Sequence, residues 1–373
     1  MKKRFKALEV DHIVFACRDR HHWQKQFERF GFETLPPKEP RESDLLFGYT
    51  TLPEREIVRR VAMVHGNVRI VLMDPERLYP PSTIKMALAE RGDMQVYRVA
   101  IRVDSVEGVK RELVEREVQH IEDPVHEILG LEKDEFGVIS GRIFPLLLWP
   151  PHKNMWTLIQ RDGDYTYEQG EGRSTGVDHF AIAVNDVEEW EKIYHFLGFE
   201  TIYEPDLIKG RYSGMKTLAV QRDNWTIALV ESVDGEMPSQ VTNYHEAHGE
   251  HSVQHAALNF KNLPSVVKDL QSRGVQFRMR RDEANLVGDL TDVMHEGVDH
   301  SGPLFQCFTK PWAMNDGKGG FFFEIIRRLS ASRLRAATEK NAFNDQTVIG
   351  LYESIEREEM AGDTTLVFSD LTN

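Results

Sequence analysis

The feature that most constrains this chain is that it repeats itself. Residues 10–16 read VDHIVFA and residues 177–183 read VDHFAIA, and the same offset of 167 aligns FGFET at 30–34 with LGFET at 197–201. A constant offset through a strand, a helix and the next strand indicates an internal duplication, which has to be recognised before any motif is interpreted.

A second pair of segments matches at an offset of 157, namely 96–119 and 253–276. Each segment reads as an apolar strand, a polar break, a helix with apolar residues at i, i+3 and i+4, and another strand. The strands that follow alternate and end in turn residues, as in RVAMVHGNVRIVLM at 60–73. The chain therefore predicts four copies of one βαβββ module, in an α+β fold.

The four modules fall into two halves. The polar, glycine-rich segment RDGDYTYEQGEGRST at 161–175 is typical of a linker. We therefore predict an N-terminal domain of two modules over 1–160 and a C-terminal domain of two modules over 176–373.

Composition excludes several classes of partner. The chain carries 46 lysines and arginines against 60 aspartates and glutamates, a formal charge of −14, so it offers no basic surface for nucleic acid. The longest apolar stretch, IFPLLLWPP at 143–151, is too short to cross a membrane. Two cysteines, Cys17 and Cys307, fit a reducing compartment, and we expect a cytoplasmic protein.

The repeat supplies an internal control for candidate metal ligands. The C-terminal half carries His179, His255 and Glu324 in its strands. Two histidines and one carboxylate form the facial triad of non-haem Fe(II) oxygenases, which leaves positions open for substrate and dioxygen. At the same offsets the N-terminal half carries His12, Arg98 and Thr157. Because arginine repels a cation and threonine lacks a carboxylate, we predict metal only in the C-terminal half.

Other interpretations of these residues stay open from the sequence. Each histidine also fits a satisfied core residue, and Glu324, within FFFEII, also fits a salt bridge with Arg327 or Arg328. The carboxylate is the stronger signal, because an unpaired buried charge costs several kcal/mol. Two further candidates are interpreted as non-functional: the HxxHxxH of 245–251 as a polar loop or short helix, and Cys307 as a buried, inert thiol.

Four blocks in this order resemble one family. They are GVDHF at 176–180, SVQHAAL at 252–258, LFQCFTKP at 304–311 and GGFFFEIIRR at 319–328, and they are similar to the 4-hydroxyphenylpyruvate dioxygenase and hydroxymandelate synthase family. The resemblance implies the vicinal oxygen chelate fold, with two half-open barrels, and a closing helix over 341–359. It also implies an Fe(II) dioxygenase that oxidatively decarboxylates and hydroxylates a 2-oxo acid with O₂, with conversion of 4-hydroxyphenylpyruvate to homogentisate as the default reaction.

The resemblance also assigns roles to individual residues. His179, His255 and Glu324 match the iron ligands and the catalytic centre. The residues matching the family's substrate contacts are Ser239, Gln240, Gln306, Phe308, Phe322 and Phe343.

The chain departs from the family at three places, one of which is Asn341-Ala342-Phe343 in the closing helix, where the family has Gly-Asn-Phe. Glu231 stands where the family has an asparagine, and RMRRDEANLVGDL at 278–290 replaces a proline-rich segment with paired tyrosines. Because these positions are polar pocket residues in the family, we expect weaker discrimination for a ring hydroxyl than its typical members show. The alternatives are benzylic hydroxylation as in hydroxymandelate synthase, another aryl or alkyl 2-oxo acid, an extradiol-type dioxygenase, and a metal-free binding protein. We also expect a homo-oligomer.

Overall fold

The computed structural model of the chain describes most of its 373 residues. The described residues are 3–36, 44–47, 55–75, 83–122, 133–148, 154–163, 170, 172–279, 295–299, 302–315, 317–328 and 345–371. They divide into two compact units, one of Met1–Gln169, Lys192–Glu200 and Arg222–Trp225, the other of Gly170–Glu191, Thr201–Gln221 and Thr226–Asn373. The domain boundaries that we placed at 160 and 176 stay a prediction.

The first sheet contains the strands of the N-terminal half. Its main path runs in the order β2-β4-β5-β1-β6-β10-β9-β7, with β3 beside β4 and β8 beside β9. The strands are β1 (Ala7–Ala16), β2 (Glu33–Thr34), β3 (Asp44–Phe47), β4 (Arg55–His65), β5 (Val68–Pro75), β6 (Gln95–Val103), β7 (His120–Glu122), β8 (Lys133–Asp134), β9 (Gly137–Pro145) and β10 (Trp156–Asp162).

The second sheet repeats this topology. Its order is β12-β13-β14-β11-β15-β18-β17-β16, which matches the first sheet strand for strand. The strands are β11 (Ser174–Val184), β12 (Glu200–Lys209), β13 (Gly214–Arg222), β14 (Trp225–Val233), β15 (Ser252–Phe260), β16 (His295–Asp299), β17 (Gly302–Phe308) and β18 (Phe322–Arg328).

One helix follows the first strand of every module. The described helices are α1 (Arg20–Phe30), α2 (Thr83–Arg91), α3 (Val106–Glu115), α4 (Val187–Phe196), α5 (Gln240–His248), α6 (Leu263–Ser272) and α7 (Asp345–Met360). Of the three that do not follow a first strand, α2 precedes the second module, α5 precedes the fourth, and α7 follows the fourth. Polar residues start several of them in the usual way: the Asp19 carboxylate accepts from two backbone amides of α1, and Ser239 accepts from the Val241 amide of α5. Among the described residues, no helix is long and apolar enough to span a bilayer.

The element order confirms the four predicted βαβββ modules. The first and second modules each carry one additional short strand, β3 beside β4 and β8 beside β9. Within each sheet, the first strands of the two modules pair antiparallel, β1 with β6 and β11 with β15, and each module closes by pairing its first strand with its last in parallel.

Strand register confirms the equivalences expected from the two offsets. The strand partners in the second sheet correspond, residue for residue, to partners in the first. The corresponding pairs are Ala181–His255 with Val14–Arg98, and Ala257–Glu324 with Ala100–Thr157.

Candidate metal centre

Three neighbouring strands bring the predicted ligands together on one face of the second sheet. His179 lies on β11, His255 on β15 and Glu324 on β18, and we call these three residues the triad. His179 Nε2 lies 3.3 Å from Glu324 Oε2, and His255 Nε2 lies 3.5 Å from the same oxygen. Their ligand atoms all fall within 4.8 Å of one another. Ligands about 2.1 Å from one ion and at right angles are roughly 3 Å apart, so these spacings suit a shared metal.

A second layer of hydrogen bonds holds the first histidine. His179 Nδ1 donates to Asp178 at 2.9 Å, and Arg328 donates to both oxygens of the same carboxylate at 2.7 Å. Such a carboxylate fixes the tautomer and orientation of a metal-binding imidazole, leaving Nε2 free for the ion. Arg328 is therefore committed to Asp178, and Glu324 is not its salt-bridge partner.

The electrostatics of the triad favour a charged carboxylate. Burial alone would raise the pKa of Glu324, but the neighbouring His179 charge and the histidine hydrogen bonds hold it at about 2. Burial opposes charge on His179, yet the Glu324 carboxylate and Asp178 raise its pKa to about 10. Burial lowers the pKa of His255, so this imidazole is neutral and offers a lone pair.

Two buried atoms of the triad lack partners among the described residues. Glu324 Oε1 has none, although the residue is only 2% exposed, and His255 Nδ1 has none either. A buried carboxylate with an unsatisfied oxygen is costly unless a cation compensates it. The donor set, the spacing and this unsatisfied oxygen together fit a divalent metal such as Fe(II).

The N-terminal counterpart keeps the second layer but lacks two of the three ligands. His12 Nδ1 lies 2.6 Å from Asp11, and Arg161 donates to that carboxylate at 2.5 and 2.8 Å. Arg161 also pairs with Asp134, which closes a buried ionic cluster. The triad is the one group of three potential ligands found among the described residues, and the metal-free N-terminal half stays a prediction.

Aromatic side chains border the triad. Phe322 stacks on His255 with ring centroids 4.8 Å apart at 28°, and Phe308 meets Phe322 edge-on at 6.2 Å. Strand pairing places Phe308 opposite Glu324, so its side chain lies on the triad's face. Ile355 of α7 belongs to the same buried apolar cluster as these two phenylalanines. These contacts place an apolar wall next to the candidate metal centre.

Helix α7 is fastened over this wall by polar contacts. Tyr352 is fully buried, and its hydroxyl lies 2.6 Å from Ser213 Oγ and 3.0 Å from Ser239 Oγ. Glu356 accepts from Ser213 Oγ at 2.7 Å. The helix and the place of Ile355 in the cluster with the phenylalanines agree with the expected closing helix, although its described part begins at Asp345.

The remaining predicted contact residues lie in different settings. Ser239 and Gln240 are buried at the start of α5, where the Ser239 hydroxyl is shared between Val241 N and Tyr352. Gln306 is buried on β17, two residues before Phe308 and therefore on the same face. Phe343 lies outside the described residues.

Several known proteins are similar to this chain. Residues 176–285 match the model of the Glyoxalase/Bleomycin resistance protein/Dioxygenase superfamily. A 4-hydroxyphenylpyruvate dioxygenase of Xenopus tropicalis is 28% identical over 203 residues, 49% of this chain and 48% of that protein. One from Yarrowia lipolytica is 25% identical over 79% of this chain and 80% of that protein. Residues 176–285 thus carry a glyoxalase/vicinal oxygen chelate domain, and the chain is similar to these dioxygenases.

A solved structure confirms the vicinal oxygen chelate fold. A mutant of 4-hydroxymandelate synthase from Streptomyces coelicolor superposes with a TM-score of 0.69 at 19% identity, covering 95% of this chain and 99% of that one. The predicted α+β architecture is therefore correct. The match with the Xenopus relative spans about half of that protein's length.

The histidines of the HxxHxxH segment have separate partners. His245 Nε2 donates to Glu250 at 2.8 Å, His248 Nε2 donates to the Gly319 carbonyl at 2.6 Å, and His251 stacks on Trp190 at 3.7 Å. Helix α5 covers the first part of the HxxHxxH segment, and its interpretation as a non-metal site stays a prediction.

Cys307 also behaves as expected. Its side chain is fully buried on β17, and burial raises the pKa of its thiol well above the usual value. A thiol in this setting is a poor nucleophile.

Four residues around the site were missed by sequence reasoning. Asp178 and Arg328 could have been found, because Asp11 and Arg161 repeat them at the same offset of 167. Arg278 and Tyr352 gave no such signal. Glu231, which we had marked as a pocket change, instead accepts from the Val187 amide at 3.0 Å and pairs with Lys216 at 3.3 Å.

Proposed function

We propose that this chain is a non-haem Fe(II)-dependent dioxygenase that oxidatively decarboxylates and hydroxylates a 2-oxo acid with O₂. The default substrate is 4-hydroxyphenylpyruvate, with homogentisate as product. The observation that carries the proposal is the convergence of His179, His255 and Glu324, with an unsatisfied carboxylate oxygen, beside the stacked ring of Phe322.

The triad would hold the iron, which supplies activation of dioxygen when bound. Three protein ligands leave positions for the carboxylate and keto oxygens of a 2-oxo acid and for O₂. The substrate then provides its own 2-oxo group: one oxygen atom of O₂ enters the new carboxylate as CO₂ leaves, and the other becomes the hydroxyl.

The rest of the site serves orientation and exclusion of water. Asp178 and Arg328 fix the imidazole of His179, so that Nε2 is held toward the metal. Phe308 and Phe322 favour a planar substrate side chain by stacking. Helix α7, through Ile355, covers this wall and keeps water from the reactive centre.

Oxygen uptake tests the proposal directly. The protein would be loaded anaerobically with Fe(II) in the presence of ascorbate and offered aryl, indolyl and branched aliphatic 2-oxo acids, with products identified by mass spectrometry. We expect O₂ consumption and CO₂ release with an aryl 2-oxo acid, and neither in H255A.

The same experiment separates the alternatives. A benzylic hydroxy acid as product would assign the hydroxymandelate synthase reaction in place of ring hydroxylation. Cleavage of a catechol without turnover of any 2-oxo acid would indicate an extradiol dioxygenase. Tight ligand binding that needs no metal would indicate a binding protein. The cytoplasmic location and homo-oligomeric assembly stay predictions.

A further inference from the structure

A buried arginine lies against the aromatic wall of the site. The backbone amide of Arg278 donates to the Phe308 carbonyl at 2.8 Å, next to the bridge between Phe277 and Thr309. This pairing puts the Arg278 side chain on the same face as Phe308 and the triad. The residue is 5% exposed, and its guanidinium carbon lies 5.0 Å from the Phe322 ring centroid.

The guanidinium has more donors than its described partners use. Arg278 Nη1 pairs with Glu358 of α7, while Nε is buried with no hydrogen-bond partner among the described residues. A guanidinium carries five N–H donors, and leaving buried donors unpaired is unfavourable. The Nε–H group of Arg278 is therefore available as a donor beside Phe322, the ring that stacks on His255.

The local charge is already balanced. Glu358 also accepts from Lys310 at 2.7 Å, and Lys310 pairs with Asp363 at 2.7 Å, so two cations face two carboxylates. A further anion has no net positive charge to attract it here. The unused donors suit a neutral oxygen acceptor better than a second carboxylate.

The internal duplication provides a comparison for this position. At the offset of 157 the counterpart of Arg278 is Ile121, which lies opposite Phe144 on β9 as Arg278 lies beside Phe308. Phe144 in turn corresponds to Phe308. Phe308 lies opposite Glu324, and the register of β9 with β10 brings Phe144 opposite Thr157, the counterpart of Glu324. The half without a triad thus places an apolar side chain where the half with the triad places a cation.

We propose that Arg278 is a specificity-determining residue that donates a hydrogen bond to a neutral oxygen on the substrate's side chain. The inference rests on the proposed function and narrows its substrate class to aryl 2-oxo acids with a ring hydroxyl. It reverses our expectation of weak discrimination, because the segment that departs from the family begins with this donor.

The test compares 4-hydroxyphenylpyruvate with phenylpyruvate, which differ in one hydroxyl. Variant R278M removes the donors at similar length, and E358Q is the matched control that weakens the ion pair with α7 but keeps the guanidinium. For each Fe(II)-loaded protein, kcat and KM would be measured by oxygen uptake, and the affinity for both acids by anaerobic calorimetry.

We expect the wild type to prefer the hydroxylated acid. In R278M this preference should fall roughly tenfold to a hundredfold, as for loss of one charge-assisted hydrogen bond, mainly through KM and through the calorimetric affinity. E358Q should keep the preference. If R278M does not fold, R278K keeps a cation for Glu358 but lacks the forked donors, and the same loss is expected.

Two results would overturn the role of Arg278 alone: an unchanged preference in a folded Arg278 variant, or an equal loss in E358Q, which would show that the arginine acts only by holding α7. If the iron-loaded wild type consumed oxygen with neither of these two acids, the role of Arg278 would be overturned; if it consumed oxygen with no 2-oxo acid of the panel, the proposed function would be overturned as well.

Discussion

Thr157 occupies, in the N-terminal sheet, the register position that Glu324 occupies in the C-terminal sheet. Thr157 lies opposite Ala100 on β6, and Glu324 lies opposite Ala257 on β15. The two sheets thus offer the same scaffold to a third ligand, and only one of them places a carboxylate there. A difference in metal binding between the halves would therefore follow from side chains and not from topology.

We predict one iron per chain, bound by the triad. H255A should lose tightly bound iron, because two ligands cannot hold the ion as three do. R98A, at the equivalent position of the other half, should keep one equivalent. Metal analysis after dialysis measures both, and two equivalents in the wild type, or full retention in H255A, would contradict the prediction.

Glu324 is expected to be a ligand and not a structural ion-pair partner. E324Q should leave the fold intact but lose iron and turnover, because a neutral amide is a poor ligand for a hard cation. The control is E231Q, which changes a carboxylate whose described contacts are Val187 and Lys216. Circular dichroism and metal content decide, and an E324Q protein with its iron in place would refute this role.

The Asp178–Arg328 pair should tune iron affinity without touching the ion. R328M removes both hydrogen bonds that hold the Asp178 carboxylate against His179, and outer-layer partners of this kind are typically worth 10- to 100-fold in affinity. R161M is the matched change in the other half and should weaken folding but leave the iron affinity as it is. Competition with a chelator gives both affinities; equal iron binding by R328M and wild type would argue against the pair's role.

The buried N-terminal cluster predicts a specific acid sensitivity. Burial would raise the pKa of Asp11, but hydrogen bonds from His12 and Arg161 hold it well below its usual range. Since this pKa is lowered by folding, the stabilisation is present above the unfolded value of about 3.9 and is lost as the pH falls below it.

The variant D11N makes that loss measurable. At pH 7 it should lower the free energy of unfolding by about 3 kcal/mol, because Arg161 is left buried with one partner fewer. The gap between wild type and D11N should narrow steadily from about pH 5 downward. Urea unfolding at several pH values checks this, and a gap independent of pH would show that Asp11 is not charged in the folded state.

Much of the site was predictable because the duplication carries register information. Two constant offsets were enough to match His255 with Arg98 and Glu324 with Thr157, and the strand pairings confirm both matches. Because the strands of one sheet pair at a fixed register, the residues of the triad fall on one face of the sheet. Their proximity could therefore be predicted from the two sequence offsets.

Contacts between distant segments were not predictable in the same way. Sequence reasoning left Glu324 with a choice of Arg327 or Arg328, whereas Arg328 binds Asp178, 150 residues away. Likewise, nothing local marks Tyr352 as the partner of Ser239, because the pairing depends on where α7 docks. Hydrophobic periodicity reports which face is buried and not which polar groups meet there.

The triad takes its ligands from two successive modules, since His179 belongs to the third and His255 and Glu324 to the fourth. The antiparallel pairing of β11 with β15 is the seam between them. An ion bound between these two strands would stabilise the native state by its binding free energy, but only after both modules have folded and paired. Neither module alone carries all three ligands, so removal of the ion by a chelator would first weaken the pairing of β11 with β15. The concentration of iron would then determine whether the two modules of the C-terminal half unfold together or separately.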